Sequence, residues 1–201
     1  MPLNFRLARD FVMVRMVFWC VFCWLSSTVL HAKSGFEIFG DVMQMLPFAT
    51  MTYAWGTDDT QGVKEQAIGS GATLLATYAI KYSFVGISRS NENLAYISQR
   101  PNNGSFDGFP SGHTSFSFSS VGFAYKRYGY KAALPLGALA TLTGISRVYA
   151  QRHTTSQVIA GAILGFALSY ICATPLQSED SIVSFSITPK NTYLVSFIKI
   201  F

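Results

Sequence analysis

The sequence predicts an all-α fold: a helical bundle that is associated with a membrane and ends in a small β-hairpin. Half of the 201 residues are hydrophobic and 12% are charged. The mean hydropathy of +0.30 lies between the values typical of soluble and of polytopic membrane proteins. Apolar segments of helical length alternate with short polar turns. Only the last stretch of the chain alternates apolar and hydroxyl residues, as strands do.

Residues 1–32 have the pattern of an export segment. Three arginines precede an uncharged, apolar run at residues 16–32, which is typical of a signal peptide or of an uncleaved N-terminal anchor. Cleavage after Ala32 and retention of the anchor both stay open, because Leu30 is large for its position before a cleavage site. Either outcome predicts that the rest of the chain is exported.

The rest of the chain is predicted to form one domain at 33–178 and a tail at 179–201. Helical patterns occur at residues 36–55, 63–87, 113–127, 131–147 and 155–173. Between them, residues 88–110 are rich in Asn, Ser, Gly and Pro, which predicts a long loop, and such loops are usually functional. In the tail, two segments rich in β-formers flank the turn "PKN" and predict a hairpin.

The charge distribution argues against nucleic acid as a partner. The net charge is +5, but the basic residues are scattered along the chain rather than clustered. Anionic lipid or phosphate is therefore the better prediction for the partner. The three cysteines form no disulfide framework, and the spacing of two of them in the leader has no partners for a metal site.

The tetrapeptide Pro-Ser-Gly-His at 110–113 stands directly before a helical segment. Proline and serine mark a helix start, where free backbone N–H groups and the helix dipole favour an anion. Gly112 allows the backbone to approach a ligand closely. This turn can hold phosphate with His113 beside it as a proton donor, although a plain helix cap fits the same residues.

A second motif follows downstream, where Ser146 and Arg147 are separated by five residues from His153. On one straight helix Arg147 and His153 would lie on different faces. They can meet only if the chain breaks around Gln151 and a new helix starts near Thr155. Two further cations precede these motifs: Lys81 ends an apolar helix and Arg100 lies in the long loop, so both could point at the same anion.

Together these elements resemble the type 2 phosphatidic acid phosphatase (PAP2) superfamily, which shares its core with vanadium haloperoxidases. The family pattern is a lysine, six residues and Arg-Pro, then Pro-Ser-Gly-His, then Ser-Arg, five residues, His, three residues and Asp. The resemblance covers residues 70–170, and its last two blocks are intact here except for the aspartate. The stretch "GDVMQMLP" resembles exported bacterial members, including lipid A phosphatase-like ones.

The resemblance implies a PAP2/haloperoxidase-like helical bundle and a role for each motif residue. His153 would attack phosphorus to give a phosphohistidine, and His113 would protonate the leaving oxygen. No metal and no cofactor is implied. The phosphoryl oxygens would be held by Lys81, Arg100, Ser111, the Gly112 amide and Arg147. Such chemistry requires positioned cations, N–H donors, an in-line nucleophile and an acid, which these residues supply.

The chain departs from the family pattern first at Gln157, which stands in place of the aspartate that orients the nucleophile. Its spacing puts Gln157 on the same helical face as His153. The amide oxygen can accept the imidazole Nδ1–H, but it cannot stabilise a developing positive charge as a carboxylate would. Asp107 is another acid that could help.

The second departure concerns the first cation. Lys81 and Arg100 are separated by 18 residues instead of the six of the family pattern, so an insertion lies between them. Lys81 matches by its sequence context, and Arg89 is the alternative.

The function implied is a phosphatase that hydrolyses lipid phosphomonoesters or pyrophosphates, of the lipid A, phosphatidylglycerol phosphate or undecaprenyl pyrophosphate class. The expected partners are a phosphorylated lipid and the membrane. The expected location is the bacterial inner membrane with the active site facing the periplasm, or the periplasm after cleavage of the leader. Two alternatives remain: a periplasmic non-specific acid phosphatase, and a catalytically weak family member that binds phospholipid. The oligomeric state stays open.

Overall fold

The computed structural model describes residues 34–176 and the two strand segments 182–187 and 193–198. Within that part, the all-α class predicted for the domain is confirmed. Its helices are α1 (Gly35–Met43), α2 (Leu46–Gly56), α3 (Thr60–Ser88), α4 (Glu92–Ala95), a 3₁₀ turn (Tyr96–Ser98), α5 (Gly112–Tyr128), α6 (Tyr130–Tyr149) and α7 (Thr155–Cys172). The predicted export segment at 1–32 lies outside the described residues.

Two strands follow the helical part. β1 (Ile182–Ile187) and β2 (Tyr193–Ile198) pair antiparallel, with Ile182 opposite Ile198. The segment that would join them lies outside the described residues, so the hairpin stays a prediction.

The segment predicted as one helix over 36–55 consists of two helices. α1 ends at Met43 and α2 begins at Leu46, with Pro47 in its first turn. Proline has no backbone N–H and is tolerated in the first turn of a helix, where that donor has no partner in any case. Pro47 therefore starts a new helix and prevents α1 from continuing.

The segment 88–110, predicted as a long loop, contains one turn of α-helix and one of 3₁₀-helix. The α4 turn begins because the side chain of Asn91 accepts a hydrogen bond from the N–H of Asn93, at 3.0 Å. Short polar side chains in such a segment can cap local turns, and the composition signal for a loop does not detect this.

The interior of the bundle is built from small and polar side chains. α5 lies at the centre and packs on α7, α6 and α3. Most of the fully buried serines and threonines on these helices bond to one another or to backbone carbonyls, as Thr77 does with Ser115 at 2.9 Å and Thr73 with the carbonyl of Gly69 at 2.8 Å. Among the described residues, the buried hydroxyl of Ser169 on α7 has no hydrogen-bond partner. Buried hydroxyls satisfied in this way allow the helices to approach closely.

Many large apolar side chains lie on the outside, although Phe116 and Phe123 are buried. The exposed ones on α3, α6 and α7 include Leu75, Tyr82, Leu134, Leu142, Ile163 and Ile171. Among the described residues, one helix passes the length and composition test for a membrane span: α7, with a mean hydropathy of 1.6 over 18 residues. A core helix of a soluble protein would be mostly buried, whereas 22% of that window of α7 is buried inside the molecule.

A buried ion cluster closes the end of the bundle where α3 begins and α5 and α7 end. Arg127 bonds to both carboxylate oxygens of Asp59 and reaches Glu65 at 3.1 Å. The hydroxyl of Tyr128 also donates to Asp59, at 2.7 Å. The hydrogen bond from Arg127 is the main reason why the pKa of Asp59 falls from 3.8 to about 2. Glu65 and Arg127 also hold Thr174, so the cluster fixes the segment after α7.

Candidate active site

The site lies at the opposite end of the bundle, where α5 and α7 begin side by side. The N–H of Ser111, the residue before α5, donates to the carbonyl of Gln157 at 2.9 Å. At Gly161 there is no room for a side chain, because a Cβ there would lie 2.6 Å from the carbonyl oxygen of Ser111. Two helix N-termini therefore lie next to each other, and their dipoles together favour an anion at this point.

The predicted break between α6 and α7 is present. α6 ends at Tyr149, and Gln151 has a positive φ of 55°. The N–H groups of Arg152 and His153 both donate to the carbonyl of Arg147, at 2.9 and 3.3 Å. The chain thus turns back at the end of α6, and His153 lies just before the start of α7.

Gln157 fixes the tautomer of His153. The Nε2 of Gln157 lies 2.9 Å from the carbonyl oxygens of both Ile97 and Gln99, so this end of the amide is the donor. The Oε1 atom is then the acceptor, and it lies 3.0 Å from Nδ1 of His153. The proton of the neutral ring is therefore on Nδ1, and Nε2 carries the lone pair.

The same glutamine also caps α7. Its Oε1 accepts from the N–H of Thr154 at 3.2 Å, and its own N–H donates to the Thr154 hydroxyl at 3.3 Å. This reciprocal pair is a capping box, which needs Ser or Thr at the cap and Glu or Gln three residues later. Gln157 is fully buried and all its polar atoms have partners, so it orients His153 within a fixed helix start.

Asp107 brings Lys81 and Arg100 together across the insertion. Arg100 makes two hydrogen bonds to the Asp107 carboxylate, Nε to Oδ1 at 2.8 Å and Nη2 to Oδ2 at 3.0 Å. The Lys81 ammonium donates to the carbonyl of Asp107. Lys81 also lies against Gly112, where an added Cβ would be 3.9 Å from its Cε atom. Arg89 is exposed at the C-terminus of α3.

Burial and the surrounding positive charges keep His153 neutral. Burial is the main reason why its pKa falls from 6.5 to about 3, and the positive charges of Arg100, Lys81 and His113 act in the same direction. The hydrogen bond to Gln157 acts against them. Burial tends to raise the pKa of Asp107, but its hydrogen bonds from Arg100 and Ser105 hold that pKa at about 2. The site therefore holds the neutral imidazole of His153 among cations, beside the ionised carboxylate of Asp107.

His113 and Arg147 contact α1, and both reach Asp41. The Oδ1 atom of Asp41 lies 3.0 Å from Nε2 of His113 and 2.6 Å from Nη1 of Arg147. Arg147 also donates from Nη2 to the carbonyl of Glu37, at 2.5 Å, and from Nε to Ser146, at 3.2 Å. The described hydrogen bonds of the Arg147 guanidinium thus go to α1 and to its own neighbour.

The sequence motifs do not identify Asp41. It lies within the stretch "GDVMQMLP", but its separation of 106 residues from Arg147 leaves no local pattern linking the two. Helical spacing could have placed Glu37 and Asp41 on one face of α1, four residues apart.

An open cleft of about 540 Å³ lies beside Arg100. It is formed by the 3₁₀ turn, the loop that follows it and the start of α7; its lining includes Tyr96, Gln99, Arg100, Pro101, Thr154 and Ser156. Within the described part of the chain, no group of three or more His, Cys, Asp or Glu side chains could hold a metal ion. The arrangement of a lone-pair imidazole, a second imidazole and paired cations at two helix starts suits transfer of a phosphoryl group.

The comparisons with known proteins agree with that chemistry. The PAP2 superfamily matches residues 57–179, and the chain belongs to this family. It is a phosphatase, a hydrolase of phosphoric ester bonds. No solved structure matched the chain.

Three curated relatives illustrate the range of the family. A lipid A 4'-phosphatase of Helicobacter pylori strain J99 is 38% identical over 135 residues, which cover 67% of this chain and 68% of the relative. A lipid A 1-phosphatase of another Helicobacter pylori strain is 31% identical over 117 residues, or 58% and 60% of the two chains. A probable diacylglycerol pyrophosphate phosphatase 1 of Schizosaccharomyces pombe is 38% identical over 80 residues, or 33% and 29%.

Proposed function

We propose that this phosphatase removes phosphate from lipid phosphomonoesters or pyrophosphates at a membrane, through a phosphohistidine formed on His153. The observation that carries the proposal is the imidazole of His153: it is buried, neutral, and oriented by Gln157 so that Nε2 bears the lone pair. A nucleophile with these properties, next to two cations and two helix N-termini, is what attack on a phosphate dianion requires.

The roles of the other residues follow from their positions. Nε2 of His153 forms a bond to phosphorus while the bond to the leaving oxygen breaks, and His113 gives that oxygen a proton. Lys81, Arg100, the hydroxyl of Ser111, the N–H of Gly112 and the start of α7 hold the phosphoryl oxygens in this proposal. Water then attacks phosphorus, the P–N bond breaks, and His113 takes back a proton from the water.

The distribution of side chains supports a membrane location. A bundle with hydroxyls inside and Leu, Ile and Tyr outside fits a lipid environment, because the hydrophobic effect does not drive apolar side chains inward there. α7 is the candidate span, and the site lies at its N-terminal end. We expect this end to face the periplasm at the inner membrane.

The relatives favour lipid A as the substrate class. Two of the three curated relatives described above are named as lipid A phosphatases, and the first covers two thirds of this chain. Phosphate lies next to acyl or prenyl chains in all the candidate substrates: lipid A with its 4'- and 1-phosphates, phosphatidylglycerol phosphate and undecaprenyl pyrophosphate. A site at the end of an apolar helix suits such substrates.

Phosphate release by the purified, detergent-solubilised protein tests the proposal. The substrates are lipid A, phosphatidylglycerol phosphate, undecaprenyl pyrophosphate and a short water-soluble phosphomonoester. We expect release from at least one lipid and a trapped, acid-labile and alkali-stable phosphoprotein. Both should be lost in His153→Ala and kept in Thr155→Ala, which changes an exposed neighbour in the same segment.

Three results would contradict the proposal. Full activity of His153→Ala would show that His153 is not the nucleophile. Equal or faster hydrolysis of the water-soluble ester, without need for detergent, would indicate a non-specific acid phosphatase. A folded protein that binds these lipids but releases no phosphate from any of them would indicate a binding protein.

A further inference from the structure

Asp41 places a carboxylate on the second imidazole of the site. One oxygen, Oδ1, lies 3.0 Å from Nε2 of His113 and 2.6 Å from Nη1 of Arg147. Since a carboxylate only accepts hydrogen bonds, Nε2 of His113 carries a hydrogen in this contact. The side chains of Asp41 and His113 are 23% and 32% exposed, so solvent screens the interaction in part.

Contacts with α6 and the loop that follows it hold α1 in this position. Arg152 pairs with the carboxylate of Glu37 at 2.9 Å, and Arg147 donates to the Glu37 carbonyl. Gly40 lies directly against Ser146, and a Cβ at position 40 would overlap the Ser146 hydroxyl. The helix can come this close only because residue 40 has no side chain. Asp41 is therefore held on His113 by the contacts of Glu37 and Gly40, which precede it in α1.

The two imidazoles thus have different partners. His153 donates from Nδ1 to the neutral amide of Gln157, whereas His113 contacts the carboxylate of Asp41. A neutral acceptor leaves the ring free to stay neutral, and a carboxylate favours the doubly protonated ring. Opposite protonation states are what a nucleophile and a general acid need.

We propose that Asp41 is a positioning residue that keeps His113 in the imidazolium form, so that Nδ1–H of His113 can protonate the leaving oxygen. The proposal rests on the proposed function. As the P–O bond breaks, the Nδ1 proton passes to the leaving oxygen, while the hydrogen on Nε2 stays on the ring and remains hydrogen-bonded to Asp41. His113 is then neutral, and its Nδ1 can accept a proton when water attacks the phosphohistidine.

The other charged groups around His113 act against Asp41 and favour the neutral ring. Arg147 from α6 shares the same carboxylate oxygen, and Lys81 from α3 lies near the backbone of Gly112. His153 lies close enough for each ring to disfavour a charge on the other. Because these neighbours favour the neutral ring, loss of the Asp41 charge should leave His113 neutral at physiological pH.

Titration of His113 by NMR, with ¹⁵N-labelled histidine, tests the proposal independently of turnover. The chain has three histidines, so His31→Ala and His153→Ala variants assign the signals. We expect His113 to lose its proton at a pH lower by about one unit or more in Asp41→Asn, since a close carboxylate shifts such equilibria by this amount. Glu92→Gln removes one carboxylate charge from an exposed position on α4 and serves as the control; it should leave the titration close to wild type.

Kinetics give the second measurement. In Asp41→Asn the basic limb of the pH profile of kcat/KM should move to lower pH by about as much as the titration of His113 does. At pH 7.5 kcat should fall roughly tenfold or more with little change in KM, because general acid catalysis contributes about 100-fold or more. If wild type releases no phosphate but the NMR shift is present, the proposed function fails while the Asp41–His113 coupling stands.

Two results would overturn the inference. One is a titration of His113 that is the same in wild type and in Asp41→Asn. The other is a lower KM with faster release in Asp41→Asn, because Asp41 would then compete with the phosphoryl group for His113 and Arg147.

Discussion

The role of the Gln157 amide as a hydrogen-bond donor can be tested with a substitution that replaces one heavy atom. Gln157→Glu keeps the length of the side chain and the oxygen that faces His153. It replaces Nε2, which donates to the carbonyls of Ile97 and Gln99 at 2.9 Å each, with an oxygen. If this carboxyl group is ionised, both carbonyls lose their donor; if it is protonated, it can serve one of them.

The expected cost follows from the burial of this residue. Gln157 is fully buried, and a buried polar group left without its partner costs about 1–3 kcal/mol. One or two carbonyls are affected, so Gln157→Glu should lower the free energy of unfolding by roughly 2–4 kcal/mol. For a chain of this size that corresponds to a fall of about 5–15 °C in Tm.

The substitution should also change the kinetics in a recognisable way. A carboxylate next to Nδ1 raises the pKa of His153 from its value of about 3 and favours the protonated ring, which cannot attack phosphorus. The acid limb of kcat/KM should therefore move to higher pH. Because the amide also ties down the segment before Arg100, KM should rise.

Gln66→Glu is the matched control. Gln66 is equally buried, but its partners are the hydroxyls of Thr50 and Ser70. Hydroxyls can rotate to donate or accept, so the new oxygen can find a donor there. Thermal unfolding in detergent and phosphate release are measured for both variants. A Gln157→Glu protein with the Tm and pH profile of wild type, or with changes no larger than those of Gln66→Glu, would refute the reasoning.

Two further predictions concern the ends of the bundle. At the ion cluster, the pKa of Asp59 is about 2 instead of 3.8. The ionised Asp59 therefore contributes roughly 2 kcal/mol of stability above pH 4, and this contribution is lost as the pH falls through 2. Acid unfolding curves should show this loss in wild type and less of it in Asp59→Asn. At the site, Lys81→Gln should raise KM for a lipid phosphate tenfold or more, because Lys81 is buried beside Gly112. Arg89 is exposed, so Arg89→Gln should change this KM less than threefold. A larger rise of KM in Arg89→Gln than in Lys81→Gln would make Arg89 the phosphate ligand.

Local chemistry explains what could be predicted from the sequence. Pro110, Ser111 and Gly112 mark the start of α5, and a Thr and a Gln three residues apart mark the start of α7. The break at Gln151 is the condition that helix geometry sets for Arg147 and His153 to lie near each other, because one straight helix would put them on different faces. Each of these signals depends on residues close to one another in the chain.

The contacts of α1 could not be predicted in this way. Asp41 meets His113 and Arg147 across separations of 72 and 106 residues, and no periodicity or spacing encodes such a pair. The place of α1 depends on the absence of a side chain at Gly40 and on a guanidinium that reaches a carbonyl of Glu37. Both are properties of the packed molecule, because they arise only when α1 and α6 are in contact.

The structure links the two departures from the family pattern, which are Gln157 and the longer segment between Lys81 and Arg100. The longer segment between Lys81 and Arg100 brings the carbonyls of Ile97 and Gln99 next to α7, where they need donors. An aspartate at position 157 could not supply any, and its shorter side chain could not also reach the N–H of Thr154. Glutamine satisfies the inserted segment and still orients the imidazole. An aspartate restored at this position should therefore impair the site unless the insertion is shortened at the same time.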